Sequence, residues 1–383
     1  MTERRSGPLA GLTIIEMAGI GPVPLAGLIF AEMGASVIRV ERRGAPPGFI
    51  PLKPEHDVDR HGRAVLQLDL KRPEGVALLL RLCASADVLM EGFRPGVMER
   101  LGLGPEAVLA ANPRIIYGRM TGFGQDGPLA LRAGHDINYL AMSGLLHAMG
   151  NAEGRPVPPL NLVADYGGGT MFLVAGVLAT LFEAGRSGKG QVVDAAMVDG
   201  VGLLASLTFA LLSGGLWSDR RGVNLLDSGA PFYDTYETAD GRHIAVGCLE
   251  PQFFAEFARL LPLDASFIAA QYDRSRWPQM RAAIAARVKE KTRDEWQALF
   301  ESTDACVSPV LSMREAPEHP HNRGRKSHST QGGLLRAEPA PRFSRTQGER
   351  SAPLDETAAD ILARFGVSAD ETAALAKEGI VSH

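Results

Sequence analysis

Two short stretches of the sequence carry side chains that could move a proton to and from carbon. The first is the run Gly134-His135-Asp136-Ile137-Asn138-Tyr139, and the second is Asn161-Leu162-Val163-Ala164-Asp165-Tyr166-Gly167-Gly168-Gly169. A neutral imidazole is a good base near pH 7, and a carboxyl group can be the second proton carrier. We therefore take His135 and Asp165 as a candidate acid and base.

Each of these residues also has a purely structural interpretation. The polar stretch at His135 passes into the apolar run 140–146, which predicts the first turn of a helix with free N–H groups for an oxyanion. Asp136 could equally cap that helix, with His135 as a surface neighbour. Asp165 could cap the next helix, predicted over 170–184, although three glycines after it would also let a ligand approach closely. Glu250 could be a helix cap before Pro251 or a partner of His135, and spacing decides neither.

The elements that must position these residues alternate between strand and helix. Apolar runs predict strands at 12–17, 35–41, 64–70, 87–91 and 114–118, with helical patterns between them. This alternation predicts an α/β domain with a doubly wound, mostly parallel sheet. Basic residues follow three of these strands, namely Arg42, Lys71 and Arg94, with Arg100 a little further on. Ligands bind beyond the carboxyl ends of such strands, so these residues could hold phosphates, and solvated surface charge is the alternative.

A partial dinucleotide fingerprint follows the first predicted strand. Gly19 and Gly21 are followed by Glu41 at the end of the next strand, but Pro24 stands where the third glycine belongs. A proline there would crowd the helix start that holds a pyrophosphate. The pattern therefore disfavours a nicotinamide cofactor and favours a tight turn that lets another ligand approach.

The alternation of strands and helices stops beyond Trp217, and a different pattern begins. Residues 232–247 predict a hairpin with a turn at Asp240-Gly241, and helical stretches follow, as in a small α+β domain. We expect a large domain at 1–215, a linker at 216–227, the small domain at 228–318, a return linker at 319–345 and a C-terminal part of the large domain at 346–383.

Composition excludes several classes of protein. The 383 residues carry a net charge of −4, which gives no electrostatic case for nucleic acid or an anionic membrane. The 3 cysteines are far apart, which predicts neither a disulfide framework nor a metal site and fits the cytoplasm. No apolar run approaches the roughly 18 residues of a membrane span.

Taken together, the motifs resemble those of the family III CoA-transferase superfamily, and in particular its racemase branch. The resemblance runs over nearly the whole chain through Gly7-Pro8-Leu9-Ala10-Gly11-Leu12, Glu91-Gly92-Phe93-Arg94-Pro95-Gly96, Gly134 to Tyr139, Pro158-Pro159-Leu160-Asn161-Leu162, Gly188 to Met197 and Ala340-Pro341-Arg342-Phe343-Ser344.

The resemblance implies a large Rossmann-like domain and a small α+β domain in an interlocked homodimer. Active sites would lie between the large domain of one subunit and the small domain of the other. An acyl-CoA would be the partner, and its CoA would contact Arg42, Leu68, Asp69, Leu70, Lys71, Gly92, Phe93, Arg94, Arg100, Gly134, Asp136, Ile137, Asn138 and Tyr139.

The resemblance also implies the chemistry. In the racemase branch, the histidine and the aspartate act on opposite faces of the α-carbon, so His135 and Asp165 would interconvert (2R)- and (2S)-2-methylacyl-CoA through an enolate. Glu250 matches the small-domain glutamate that pairs with the histidine, no cofactor is needed, and CoA is part of the substrate. The alternatives are a CoA-transferase with Asp165 as the nucleophile and an acyl-CoA binding protein without catalysis.

Overall fold

The chain forms two compact units in the computed structural model, which describes residues 6–44, 50 and 52–382. The first unit draws on the described residues of Met1–Ser143, Leu160–Leu204 and Lys326–His383, and the second is Gly144–Pro159 with Ala205–Arg325. These boundaries differ from the predicted ones, because 144–159 and 205–215 belong to the second unit and not to the large domain. The predicted return linker also divides, since residues up to 325 belong to the second unit.

The strands and helices alternate along the first half of the chain, as the sequence predicted. The strands are β1 (Thr13–Met17), β2 (Ser36–Arg42), β3 (Arg63–Leu68), β4 (Val88–Glu91), β5 (Ile116–Thr121), β6 (Val192–Ala196), β7 (Tyr233–Glu237), β8 (His243–Gly247), β9 (Val307–Pro309), β10 (His328–Gln331), β11 (Leu334–Ala337) and β12 (Val381–Ser382). The α-helices are α1 (Pro22–Glu32), α2 (Pro73–Cys83), α3 (Val97–Arg100), α4 (Pro105–Ala111), α5 (Asp136–Met142), α6 (Leu145–Ala148), α7 (Met171–Ser187), α8 (Met197–Leu204), α9 (Ser206–Ser213), α10 (Pro251–Leu260), α11 (Ser266–Ala269), α12 (Trp277–Val288), α13 (Arg293–Phe300), α14 (Pro320–Gly324), α15 (Ala358–Ala363) and α16 (Ala369–Lys377). A π-helix, Leu162–Thr170, precedes α7, and single 3-10 turns lie at Pro54–His56, Val58–Arg60, Arg274–Arg276 and Ala316–Glu318.

A seven-stranded sheet is the framework of the first unit. Its order is β12-β3-β2-β1-β4-β5-β6, and every neighbouring pair is parallel except β12 with β3. The prediction of an α/β fold with a large, mostly parallel sheet is confirmed. The chain moves outward from β1 in one direction through β2 and β3, and in the other through β4 to β6. The crevice that such a reversal creates lies at the carboxyl ends of β1 and β4.

One helical stretch crosses the first unit next to this sheet. By length and composition alone, the 26 residues Leu162–Ser187 could span a membrane, which the sequence interpretation did not anticipate. Leu173 and Val177 of this stretch pack against Gly118 of β5, and both are fully buried. One face of this stretch therefore packs on the sheet of the first unit.

The second unit is built on a small antiparallel sheet. Strands β7 and β8 form the predicted hairpin, and β9 pairs with β8 on the other side. The core is aromatic, with Phe232, Phe254 and Phe257 fully buried. Residues 144–159 belong to this unit because Arg221 holds them, donating to the backbone oxygens of His147 at 3.0 Å and Gly154 at 2.9 Å.

The segment 319–345, predicted as a return linker, contains regular secondary structure. Strands β10 and β11 form a hairpin there, and its turn contains Gly332 and Gly333 with φ angles of 55° and 80°. Such left-handed angles are easy only for glycine, so the Gly-Gly pair was the available turn signal. Arg350 fixes the hairpin by donating to the backbone oxygens of Ser329 at 3.0 Å and Leu334 at 3.1 Å.

Candidate active site

His135 lies immediately before the first turn of α5. Its backbone is extended, its side chain is exposed, and its N–H donates to Oδ1 of Asn138 at 3.0 Å. The N–H groups of Asp136 and Ile137 have no acceptor among the described residues. The predicted helix start is confirmed, and it presents two free donors beside the imidazole, where an oxyanion could bind.

Asp165 lies inside the π-helix. The alternative interpretation, that Asp165 caps the next helix, is therefore wrong. Oδ2 of Asp136 accepts the N–H groups of Ala164 and Asp165, both at 2.8 Å, and this ties α5 to the π-helix. Asn161 lies one turn before Asp165, with Nδ2 3.5 Å from its carboxylate. π-Helical turns are rare and occur often at functional sites.

The surroundings of Asp165 favour its protonated form. Burial raises the pKa of Asp165, the hydrogen bond from Asn161 opposes that shift, the charge of Asp136 adds to it and the charge of His135 opposes it. Because the N–H of Asp165 donates to Asp136, the residue next to His135, the two predicted proton carriers lie near each other, one exposed and one half-buried.

The three glycines after Asp165 serve packing. Gly168 and Gly169 are buried, and a Cβ on Gly168 would meet the backbone N of Val201 at 2.8 Å. A Cβ on Gly200 of α8 would lie 1.9 Å from the backbone O of Gly168. We expected these glycines to leave room for a ligand. For Gly168 and Gly169 this expectation is wrong, because the space beside them is filled by helix α8.

The turn after β1 approaches Asp165 from another side. Gly21 has φ 75°, and a Cβ built on it would lie 3.4 Å from Oδ2 of Asp165. Arg39 supports the turn, with Nη2 3.3 Å from the backbone O of Gly19, and Arg39 itself pairs with the fully buried Glu16. The partial glycine fingerprint thus forms a tight turn beside the carboxylate, as the sequence interpretation favoured over a nicotinamide site.

The loop after β4 is shaped by a buried carboxylate. Glu91 accepts the N–H of Phe93 at 2.7 Å and pairs with Arg119 at 3.0 Å. Arg94, at the end of this loop, lies close enough to Tyr139 to influence its phenol electrostatically. Burial, followed by the charge of Asp165, raises the pKa of Tyr139 to about 12, so its hydroxyl keeps its proton at neutral pH.

Sequence reasoning missed Glu16, Glu91 and Arg119 as supports of these loops. The available signal was a charged residue inside an otherwise apolar strand, because such residues are seldom fully buried unless they are paired.

The predicted CoA-contacting residues gather at the carboxyl edge of the sheet. Arg42 ends β2, Lys71 follows β3 and Arg94 follows β4, and all three are exposed. Their side chains have no hydrogen bond or ion pair within the described residues, and neither does that of Arg100, which ends α3. Asp69 accepts the N–H of Lys71 at 3.1 Å and so shapes the turn after β3. An anionic ligand would find free cations along this edge.

The remaining predicted contacts differ in their accessibility. The Leu68 side chain is fully buried and Leu70 packs against the same core, so a CoA contact at Leu68 would have to be made by its backbone. The Asp136 side chain is also buried, which leaves its N–H as the accessible group. Tyr139 is buried against Phe123, with ring centroids 4.9 Å apart. Gly92, Ile137 and Asn138 are exposed, and Gly134 and Phe93 are partly exposed.

Glu250 lies in the second unit, exposed at the start of α10. Glu250 occupies the N-cap position of that helix, as one interpretation of the sequence had it, but its side chain makes no capping hydrogen bond. Its pairing with His135 stays a prediction. Among the described residues, no group of three or more His, Cys, Asp or Glu side chains could hold a metal ion.

Comparison with known proteins assigns the chain to a family. Residues 9–355 match the sequence model of CoA-transferase family III. The chain belongs to this family. Alpha-methylacyl-CoA racemase of Mus musculus is 46% identical over 378 residues, covering 97% of this chain and 97% of the relative. The racemase of the same name from Homo sapiens is 43% identical over 380 residues, with 97% of each chain covered.

A solved structure of the family also resembles the whole chain. A CAIB/BAIF family protein from Brucella suis superposes with a TM-score of 0.77 at 28% identity, covering 94% of this chain and 100% of that one.

Proposed function

We propose that this protein is a racemase that interconverts (2R)- and (2S)-2-methylacyl-CoA by 1,1-proton transfer. The observation that supports the proposal is the hydrogen bond that ties Asp165 to Asp136, the neighbour of His135, in a chain 46% identical to a relative named alpha-methylacyl-CoA racemase. Neither residue alone would distinguish this activity from others on the same fold.

The mechanism needs one base, one acid and a place for negative charge. One of His135 and Asp165 removes the α-proton, the thioester carbonyl becomes an enolate, and the other residue returns a proton to the opposite face. The free N–H groups of Asp136 and Ile137 would hold the enolate oxygen. His135 exchanges the α-proton of the S epimer and Asp165 that of the R epimer. The two side chains exchange the roles of acid and base in the reverse direction.

The CoA part of the substrate is the group that the protein binds. CoA enters as part of the thioester and no separate cofactor takes part. The free cations Arg42, Lys71, Arg94 and Arg100 would bind its phosphates, since guanidinium and ammonium groups donate strong charge-assisted hydrogen bonds to phosphate oxygens.

The setting of the reaction is part of the same proposal. We place the protein in the cytoplasm, in fatty acid and lipid metabolism, as an interlocked homodimer of large and small domains. In that arrangement Glu250 of the partner subunit would orient His135 and stabilise its charged form.

Solvent exchange tests the proposed reaction directly. Either epimer of a 2-methylacyl-CoA, incubated with the enzyme in D₂O, should gain deuterium at C2 while the other epimer forms. His135→Ala and Asp165→Ala should each slow racemisation by roughly 10²-fold or more, the usual contribution of a general acid or base.

Trapping with hydroxylamine separates the transferase alternative from the proposed reaction. A CoA-transferase would form an acyl derivative of Asp165 that hydroxylamine captures, and C2 would stay protiated. Absence of C2 exchange in wild-type enzyme that binds the acyl-CoA would exclude the racemase.

A further inference from the structure

We infer that Asp136 is a positioning residue that fixes Asp165 relative to His135 and keeps Asp165 available as a proton carrier. This inference rests on the proposed function, because it gives Asp136 a task in the same proton transfer. The task differs from the contact with CoA that the family resemblance implies for this residue.

Geometry is the first support. The Asp136 side chain is 5% exposed, and its Oδ2 accepts two N–H groups in the first turn of the π-helix, both at 2.8 Å. Donors at a helix start have no partner within their own helix, so a residue on α5 supplies what the π-helix lacks. Because Asp136 follows His135 in the chain, one short side chain joins the histidine's helix to the backbone of Asp165.

Charge is the second support. Oδ1 of Asp136 is buried with no hydrogen-bond partner, and the described residues offer this carboxylate no ion pair. The charge of Asp136 therefore lies beside Asp165 without an ion-pair partner among the described residues. It raises the pKa of Asp165 further, after the larger effect of burial.

Few other polar groups face Asp165. Asn161 on its own helical stretch and His135 on α5 both act in the opposite direction to Asp136. The phenol of Tyr139 keeps its proton at neutral pH and so adds no charge, and Gly21 in the turn after β1 lies beside the carboxylate. Among these groups, Asp136 is thus the one whose negative charge raises the pKa of Asp165.

Two substitutions separate the geometric role of Asp136 from its charge. Asp136→Asn keeps a carbonyl oxygen for both N–H groups but removes the charge, whereas Asp136→Ala removes both. We expect the alanine variant to lose roughly 10²-fold in kcat with a much smaller change in KM, as misplacement of a catalytic group does. The asparagine variant should recover most of that loss.

The charge has its own signature in the pH profile. The acid limb of kcat/KM reports the second protonation of the His135–Asp165 pair. Removal of the Asp136 charge lowers the pKa of Asp165, so the acid limb of the asparagine variant should move to lower pH. A ¹³C-carboxyl NMR titration of Asp165 should show the same displacement, and it needs no turnover.

Asp87 offers a matched control. Its carboxylate also accepts a backbone N–H, that of Thr13 at 2.8 Å, but at the amino end of the sheet. Asp87→Asn should leave the acid limb, the Asp165 titration and kcat unchanged.

The outcomes distinguish this inference from the proposed function. Asp136→Asn and Asp136→Ala variants that both keep wild-type kcat and pH profile would overturn the role of Asp136 while leaving the racemase intact. If Asp136→Ala fails to fold, the asparagine variant decides through its pH profile. If wild-type enzyme shows no C2 exchange, the racemase fails, and an unchanged Asp165 titration in Asp136→Asn would overturn the inference separately.

Discussion

The proposed catalytic role of Asp165 conflicts with the stability of the fold that holds this residue. Burial raises the pKa of its carboxyl group, so the folded chain binds that proton more tightly than the unfolded chain does. Stability therefore falls as pH rises from the ordinary pKa of an aspartate through the raised one. Above that window, the ionised carboxylate is a cost to the folded state.

Asp165→Asn should consequently make the protein inactive and more stable at neutral pH. We expect its free energy of unfolding to exceed that of wild type by about 0.5–2 kcal/mol, the usual gain when a strained functional site is relieved. The difference should disappear at pH values below the ordinary aspartate pKa, because both chains are then neutral at this position. Urea unfolding at several pH values measures it, with the exposed Asp355→Asn as a control that should show no such pH-dependent gain. A less stable Asp165→Asn protein at neutral pH would contradict the argument.

Sequence reasoning proposed the two proton carriers, but it could not give the contacts that surround them. The helix start at His135 follows from a local switch between polar and apolar residues. The environment of Asp165 depends on Asp136, which is 29 residues away, and on Gly21 in another loop. Contacts across such separations leave no periodic signal in the chain.

At the scale of elements, the site depends on how closely two helices approach. The backbone of Gly168 in the π-helix lies against that of Gly200 in α8, with no room for a side chain between them. The sequence showed the glycine run but could not tell whether a ligand or a helix would fill the space beside it. The space is filled by a helix because α8 has its own glycine at the contact, Gly200, 32 positions further along the sequence.

A pair of substitutions in α8 tests this close approach. Gly200→Ala would place a Cβ 1.9 Å from the backbone O of Gly168, so the π-helix must move and carry Asp165 with it. We expect a loss of roughly 1–3 kcal/mol in the free energy of unfolding, together with lower activity. Gly202→Ala is in the same helix with nothing within 4 Å, and it should stabilise the protein by about 0.5–1 kcal/mol. Equal effects of the two substitutions on thermal unfolding and activity would show that the contact does not matter.

For the whole molecule, the central question is which subunit supplies Glu250. His135 belongs to the first unit and Glu250 to the second, and the proposed interlocked dimer pairs them across subunits. The sequence predicted a large parallel sheet correctly because alternating strands and helices are a strong local pattern. The place of the connector 144–159 in the second unit was not predictable, since it is fixed by Arg221, a contact between distant parts of the chain.

Co-expression of His135→Ala with Glu250→Ala chains tests that pairing. In a mixed dimer with shared sites, one site contains both substitutions and the other contains neither. Random pairing would then restore about a quarter of the wild-type sites, whereas sites made within one subunit would all stay defective. Racemisation by the co-expressed protein should therefore far exceed that of either variant alone. Mixing the separately purified variants is the control, because interlocked chains should not exchange.

The antiparallel strand β12 is synthesised last, so the sheet of the first unit can be completed only at the end of translation. Ser382 of β12 pairs with Gln67 of β3, and 315 positions separate the two residues. At about 5–20 residues per second, the edge of β3 stays unpaired for roughly 15–60 s while the chain between them is made. An open strand edge is a template for aggregation, so the nascent chain needs protection during this interval. The second unit, whose residues end at 325, can complete its own core before that edge is closed.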